Sequence, residues 1–199
     1  VLITGSGPQN RDEELLGHKP FLVIADYLTK NGIAVLRFDD RGTGESEGDF
    51  KTATSLDFSY DVASAVNYLQ TRKEINKKKI GLMGHSEGGL IAPMVAATSK
   101  DICFIVLLAG PGIPGDQLLL LQAALIERAS GKSEIEIQND QMISKKAFDI
   151  VIKANTSETL KTDLTNYFKQ TLKETPESEK PSGMNKDELI NYEVNQLST

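Results

Sequence analysis

The sequence predicts an α/β fold: a parallel sheet with helices on both faces, followed by a wholly helical region. Apolar runs alternate with amphipathic stretches through residue 110, and glycine- and proline-rich turns separate them. Past residue 110 strand-like runs stop and 3.6-residue periodicity takes over.

"VLIT" (1–4) reads as the first strand, and a Gly/Pro/Asn loop follows to about residue 19. The spacing predicts a helix over "PFLVIADYLTKN", with Pro20 suited to its first position and Gly32 to its C-terminal stop. "IAVLRFD" (33–39) is β-branched and largely apolar, as a strand buried on both faces would be. After the loop "DRGTGESEGDF", Val62, Ala65, Val66 and Leu69 recur at helical spacing, which predicts a helix over 57–72. "KIGLMGH" (79–85) is the next strand, "EGGLIAPMVAATS" the next helix and "ICFIVLLAG" (102–110) the last strand. Pro93 lacks an N–H and predicts a bend or a restart within its helix. The order β-α-β-α-β-α-β implies parallel strands joined by right-handed crossovers. "PGIPGDQ" is then a turn-rich hinge, and helices are expected at 116–130, 140–155, 160–172 and 186–197. "KETPESEKPSG" (173–183) reads as a flexible linker. The domain boundary is placed between 1–110 and 111–199.

Length and composition narrow the function. A protein of 199 residues can bury one substantial core. The formal net charge of −6 argues against a nucleic-acid partner that needs a basic face. One cysteine excludes an internal disulfide, and Cys103, inside an apolar run, is expected to be a buried inert thiol. No apolar stretch reaches the ~18–20 residues that span a bilayer. The sequence begins directly in an apolar run without methionine, so it reads as a fragment, and both an exported and a cytoplasmic location stay open.

The chemistry concentrates at "MGHSEGG" (83–89). Gly84-His85-Ser86-Glu87-Gly88 matches G-x-S-x-G, in which a serine sits on a sharp strand-to-helix turn whose flanking positions must be tiny. The apolar strand before it and the helix after it make Ser86 the expected nucleophile; the alternative is a serine in a structural turn. An acyl-transfer site also needs two backbone N–H groups aimed at the developing oxyanion. Glu87, at the start of its helix, offers one, and Ser6 in "ITGSGPQN" offers the other, unless that loop is an ordinary tight turn. "DDRGTGESEG" lacks the third glycine of a dinucleotide loop, and Asp39, Asp40, Glu45 and Glu47 would repel phosphate. It reads as a turn bracing the site rim through Arg41, and no cofactor or metal is expected.

Together "LITGSGPQNRDEE", "HKPFLVIADYLTKNGIAVLRFDDRGTGES" and "GLMGHSEGGLIAPMVAA" resemble the α/β-hydrolase superfamily, in its bacterial esterase and serine-aminopeptidase-like branch. The resemblance covers residues 1–110 closely. It implies a partial α/β-hydrolase sheet (strands three to six) followed by a helical cap or lid. It further implies Ser86 as nucleophile, with Ser6 and Glu87 as oxyanion N–H donors. In such enzymes the triad runs Ser, Asp/Glu, His along the sequence. No histidine follows Ser86 here. His85 reads as packing beneath the elbow, His18 as a loop anchor hydrogen-bonded near the rim, and Asp116 as the entry to the cap. The weaker alternatives make either histidine the base, or make Asp116 the acid. The acid and base are therefore expected beyond residue 199.

The expected function is a carboxylic ester hydrolase working through an acyl-enzyme, with a serine peptidase as runner-up. A non-catalytic α/β binding domain is the rival from another class. The expected partner is a small ester or short peptide, with no nucleic acid or membrane span, and a homodimer stays open. Leu118 to Leu121 and Leu125 would give the acyl or leaving-group pocket an apolar lining or make ordinary cap-to-core packing.

Overall fold

The computed structural model describes residues 1–175 and 185–198. The protein divides into two compact units, Val1–Gly112 and Ile113–Thr199.

The first unit is built on three parallel strands in the spatial order β1 (Leu2–Ile3), β2 (Gly81–His85), β3 (Phe104–Leu108). Leu2 pairs with Met83, and Gly81 through His85 pair with Phe104 through Leu108. Three helices connect them: α1 (Pro20–Lys30), α2 (Ser55–Thr71) and α3 (Glu87–Thr98). Pro20 opens α1, where a missing N–H costs nothing. Thr54 and Asp57 form a reciprocal capping box that starts α2 two residues before the expected position. The core gathers Ile3, Leu82, Val62, Val66, Ile91, Ala92 and Val95 between the sheet and the helices α2 and α3. Leu82 is completely buried. Gly81 is small because the Phe104 ring lies over it; a Cβ there would come within 2.3 Å of that ring.

Two expectations are corrected and a third is narrowed. Residues 33–39 do not form a sheet strand. The Leu2 N–H donates to the Leu36 carbonyl at 3.0 Å, but no continuous ladder follows, and Ile33 is half-exposed where its sequence context predicts burial on both faces. Cys103 is exposed, because it precedes β3, which is paired only to β2 and leaves Phe104, Ile105 and Leu107 open among the described residues. The helix α3 is continuous through Pro93, so of the expected bend or restart the restart does not occur.

The second unit is helical: α4 (Gly115–Ala129), α5 (Glu134–Lys153), α6 (Ser157–Glu174) and α7 (Lys186–Ser198). The helix α5 begins six residues earlier than its apolar spacing predicts. Ser133 and Glu136 form a capping box there and satisfy two orphan donors. Thr156 caps α6 in the same way through Thr159. Ala147, Leu164, Phe168, Ile190 and Val194 form the core shared by α5, α6 and α7. The Tyr167 hydroxyl donates to the Ile143 carbonyl at 2.9 Å and fixes α6 against α5. On α4, Ala124 is buried while Leu119, Leu121 and Leu125 are half-exposed within this unit. The linker expected at 173–183 falls mostly outside the described residues. No described helix is long and apolar enough to cross a membrane.

Removing a fully buried side chain leaves a cavity, and removing a cap leaves an orphan donor. Leu164→Ala is expected to lower stability by about 3 kcal/mol and Ser133→Ala by about 1 kcal/mol. Both are read as urea midpoint shifts of the helical unit.

Candidate active site

Ser86 sits between β2 and α3 with φ 50° and ψ −116°. A non-glycine residue held there costs on the order of 1–3 kcal/mol and persists only where its surroundings over-determine it. Here they do. The Ser86 N–H donates to the Leu108 carbonyl at 2.9 Å, and the Gly89 N–H donates back to the Ser86 carbonyl at 2.8 Å. A Cβ on Gly84 would lie 1.9 Å from the Gly88 oxygen, and one on Gly88 would lie 2.3 Å from the Ile3 oxygen. A Cβ on Gly89 would lie 2.5 Å from the Gly110 Cα. Helix and sheet are thus in backbone contact, which only glycine permits.

The loop of residues 4–13 lies beside this turn. A Cβ on Gly5 would fall 3.2 Å from the Ser86 Cβ, 3.3 Å from Glu13 Oε1 and 3.3 Å from His85 Nδ1. Three carboxylates hold the loop. The Thr4 hydroxyl donates to Asp40 Oδ1 at 2.7 Å, and the Gln9 N–H donates to Asp40 Oδ2 at 3.0 Å. The Gly5 N–H donates to Glu13 Oε1 at 2.7 Å. Arg11 donates to Asp39 through its backbone N–H, Nε and Nη2, at 2.7, 3.0 and 2.6 Å.

The neighbouring aspartates titrate in opposite directions. Asp39 is held well below the usual carboxylate range, first by the Arg11 hydrogen bonds and also by the Glu45 and Arg11 backbone N–H groups. Asp40 is pushed up to about 6, first by burial and also by the charges of Glu87 and Asp61; the Thr4 and Gln9 bonds oppose the shift. A cavity of about 10 Å³ lies here, lined by Thr4, Gly5, Asp40, Asp61 and Glu87. That is room for about one water molecule.

Gly5, next to Ser6, packs against Ser86. Ser6 itself is exposed, and among the described residues its N–H and that of Glu87 donate to no protein acceptor. The Glu87 carboxylate accepts from the Ser55 hydroxyl at 2.6 Å, which ties the start of α3 to α2. Arg41 makes a two-pronged pair with Asp61, at 2.7 Å for each contact, and bonds the Asp57 carbonyl at 3.1 Å. The 39–48 turn is therefore clamped to α2.

His85 does not pack beneath the turn. Its side chain is 44% exposed, and its Nδ1 lies 2.8 Å from Glu13 Oε1. Strand alternation alone does not reveal this, because the partner arrives from a distant loop. His18 is exposed, and it braces its loop through backbone bonds to Leu15. Asp116 belongs to the second unit, in the first turn of α4. Glu13 is the site residue that sequence reasoning misses. "RDEE" reads as solvated loop charge, and the one sequence signal for Glu13 is its position in a loop flanked by glycines.

A parallel sheet whose middle strand ends in a serine turn tight enough to demand Gly84 and Gly88, with a helix opening on it, defines an α/β-hydrolase core. The family model described as "Hydrolase_4: Serine aminopeptidase, S33" matches residues 20–181, and the protein belongs to that family within the α/β-hydrolase superfamily. It is 30% identical over 136 residues to "Esterase EstD" of Thermotoga maritima, a stretch covering 68% of this sequence and 32% of that protein. It is 36% identical over 83 residues to "Thiohydrolase aneE" of Aspergillus aculeatus, covering 41% of this sequence and 26% of that one. The match thus spans about a third of these relatives' length or less. The solved structure of the Pyrococcus furiosus esterase Pf2001 superposes with a TM-score of 0.50 at 24% identity, over 72% of this protein and 53% of that one, and shares the fold.

Asp40 gives a pH signature. Its folded pKa lies above that of an unfolded aspartate, so the folded state binds its proton more tightly between about pH 4 and 6. Its contribution to stability is fully present below about pH 4 and is lost as pH rises through about 6. The urea stability of the wild type relative to Asp40→Asn should therefore fall between pH 4 and 7, by an amount on the order of 2 kcal/mol. A pH-independent difference between the two proteins would contradict this.

Proposed function

We propose that this protein is a serine hydrolase that cleaves carboxylic esters through an acyl-enzyme on Ser86. The carrying observation is the serine turn itself: Ser86 is strained at φ 50°, glycines surround it, and the Gly5 loop packs against its side chain. In this reading Ser86 Oγ attacks the ester carbonyl, and the Ser6 and Glu87 N–H groups receive the oxyanion. The alcohol then leaves and water releases the acid. The Glu87 N–H stands at the N-terminus of α3, where the helix dipole favours negative charge.

The base and acid are proposed to come from residues that follow Thr199. Among the described residues neither histidine hydrogen-bonds the Ser86 hydroxyl: the ring of His85 meets Glu13, and His18 bonds Leu15 through its backbone. In the same reading the helical unit serves as the cap. The ester preference is supported by the esterase relatives. The family's description as serine aminopeptidase favours a second reading, in which the same machinery cleaves short peptides.

A fluorophosphonate reagent tests the proposal on the protein as its gene encodes it. Labelling is expected at Ser86. Ser86→Ala should abolish labelling and lower p-nitrophenyl acetate turnover by at least about 10³-fold. Unlabelled Ser86 in that protein would instead support a non-catalytic binding domain. Residues 1–199 alone should turn the ester over negligibly. Rapid turnover lost on Ser86→Ala would mean that a base within these residues works after all.

A further inference from the structure

The structure assigns a positioning role to Glu13, which holds the loop beside Ser86 in register with the serine turn. The inference rests on the reading of Ser86 as nucleophile and of the Ser6 N–H as an oxyanion donor. Glu13 is buried, its side chain 9% exposed, in a loop whose next five residues are all exposed. One of its oxygens, Oε1, accepts the Gly5 N–H at 2.7 Å and lies 2.8 Å from His85 Nδ1. Gly5 precedes Ser6, and His85 precedes Ser86. A single atom therefore joins the residue before each proposed reacting group.

The backbone supports the same conclusion. Glu13 adopts φ 51°, in the left-handed region that a side chain rarely enters. Its own N–H donates to the Asn10 carbonyl at 2.9 Å, which closes the turn that aims the carboxylate inward. The Gly5 N–H, which points to Glu13, is thereby withdrawn from the substrate. The next N–H in sequence, that of Ser6, is left for the oxyanion, so Glu13 decides which of two adjacent donors is used. With the contact gone, the loop can rotate and present neither donor at the right distance. A displacement near 1 Å costs about 100-fold in rate.

The test separates positioning from mere stability by counting working sites. Active Ser86 is titrated with the fluorophosphonate, and kcat is expressed per titrated site. Glu13→Ala should lower that kcat by about 10- to 100-fold with KM changed by less than about threefold. Glu13→Gln, whose amide oxygen can still accept both contacts, should recover to within about fivefold of wild type. Glu13→Asp, which withdraws the carboxylate by one methylene, should stay low, and it serves if the alanine variant does not fold. A wild-type kcat per titrated site in Glu13→Ala or Glu13→Asp overturns the positioning role, as does a Glu13→Gln variant no better than alanine. Failure of the wild-type protein to label at all overturns the Ser86 reading instead, so the two failures are distinct.

Discussion

The first unit depends on one constraint, the left-handed backbone of Ser86 at the crossing from β2 to α3. To reverse direction in so few residues, the first turn of α3 must lie directly on the sheet. Gly88 consequently meets the carbonyls of Ile3 and Thr4 in and just past β1, Gly84 meets Gly88, and Gly89 meets Gly110 beyond β3. Three strand ends and one helix converge around a single serine. Any side chain at these glycines would force the layers apart, so the three-strand register and the geometry of the site are one property of the molecule.

The second layer of order is electrostatic, and it works through opposed environments at adjacent residues. Asp39 turns to Arg11 and is stabilised as an anion; Asp40 turns to Thr4 and Gln9 and is penalised by burial. The two carboxylates take different partners, so one short segment anchors two parts of the loop. Asp40 grips both Thr4 and Gln9, while Asp39 grips Arg11. Arg41 then fixes the same segment to α2 through Asp61. The acidic run that looks hostile to ligands in sequence is mostly consumed by internal contacts.

How far the sequence can be read follows from which signals are local. The parallel order, the serine turn, Pro20 at the start of α1 and the helical second half are all written in periodicity and in glycine or proline placement. The early start of α5 is equally local, since Ser133 and Glu136 form a capping box, but apolar spacing alone passes over it. Residues 33–39 mislead because β-branched composition reports fitness for a sheet and not the presence of a completed ladder beside β1. Cys103 misleads for a related reason: an apolar run implies burial only if both sides of its strand are covered. The pairing of Glu13 with His85 joins residues 72 positions apart, and neither one carries a mark of its partner.

Glu13 and Ser86 are both non-glycine residues at positive φ, and they face each other across Gly5. Each conformation is costly and each is held by backbone hydrogen bonds of its own, Ser86 through Leu108 and Gly89 and Glu13 through Asn10. An oxyanion site gains its advantage from donors fixed before the substrate arrives, since no reorganisation is then needed as charge develops. In the proposed reading of Ser86, two strained residues packed about one glycine would meet that requirement on the loop side and on the serine side together. Relaxing either strain would stabilise its own segment while loosening the relation between them. The local instability is thus a condition of the site's order, and the buried carboxylate of Glu13 is what couples the two halves.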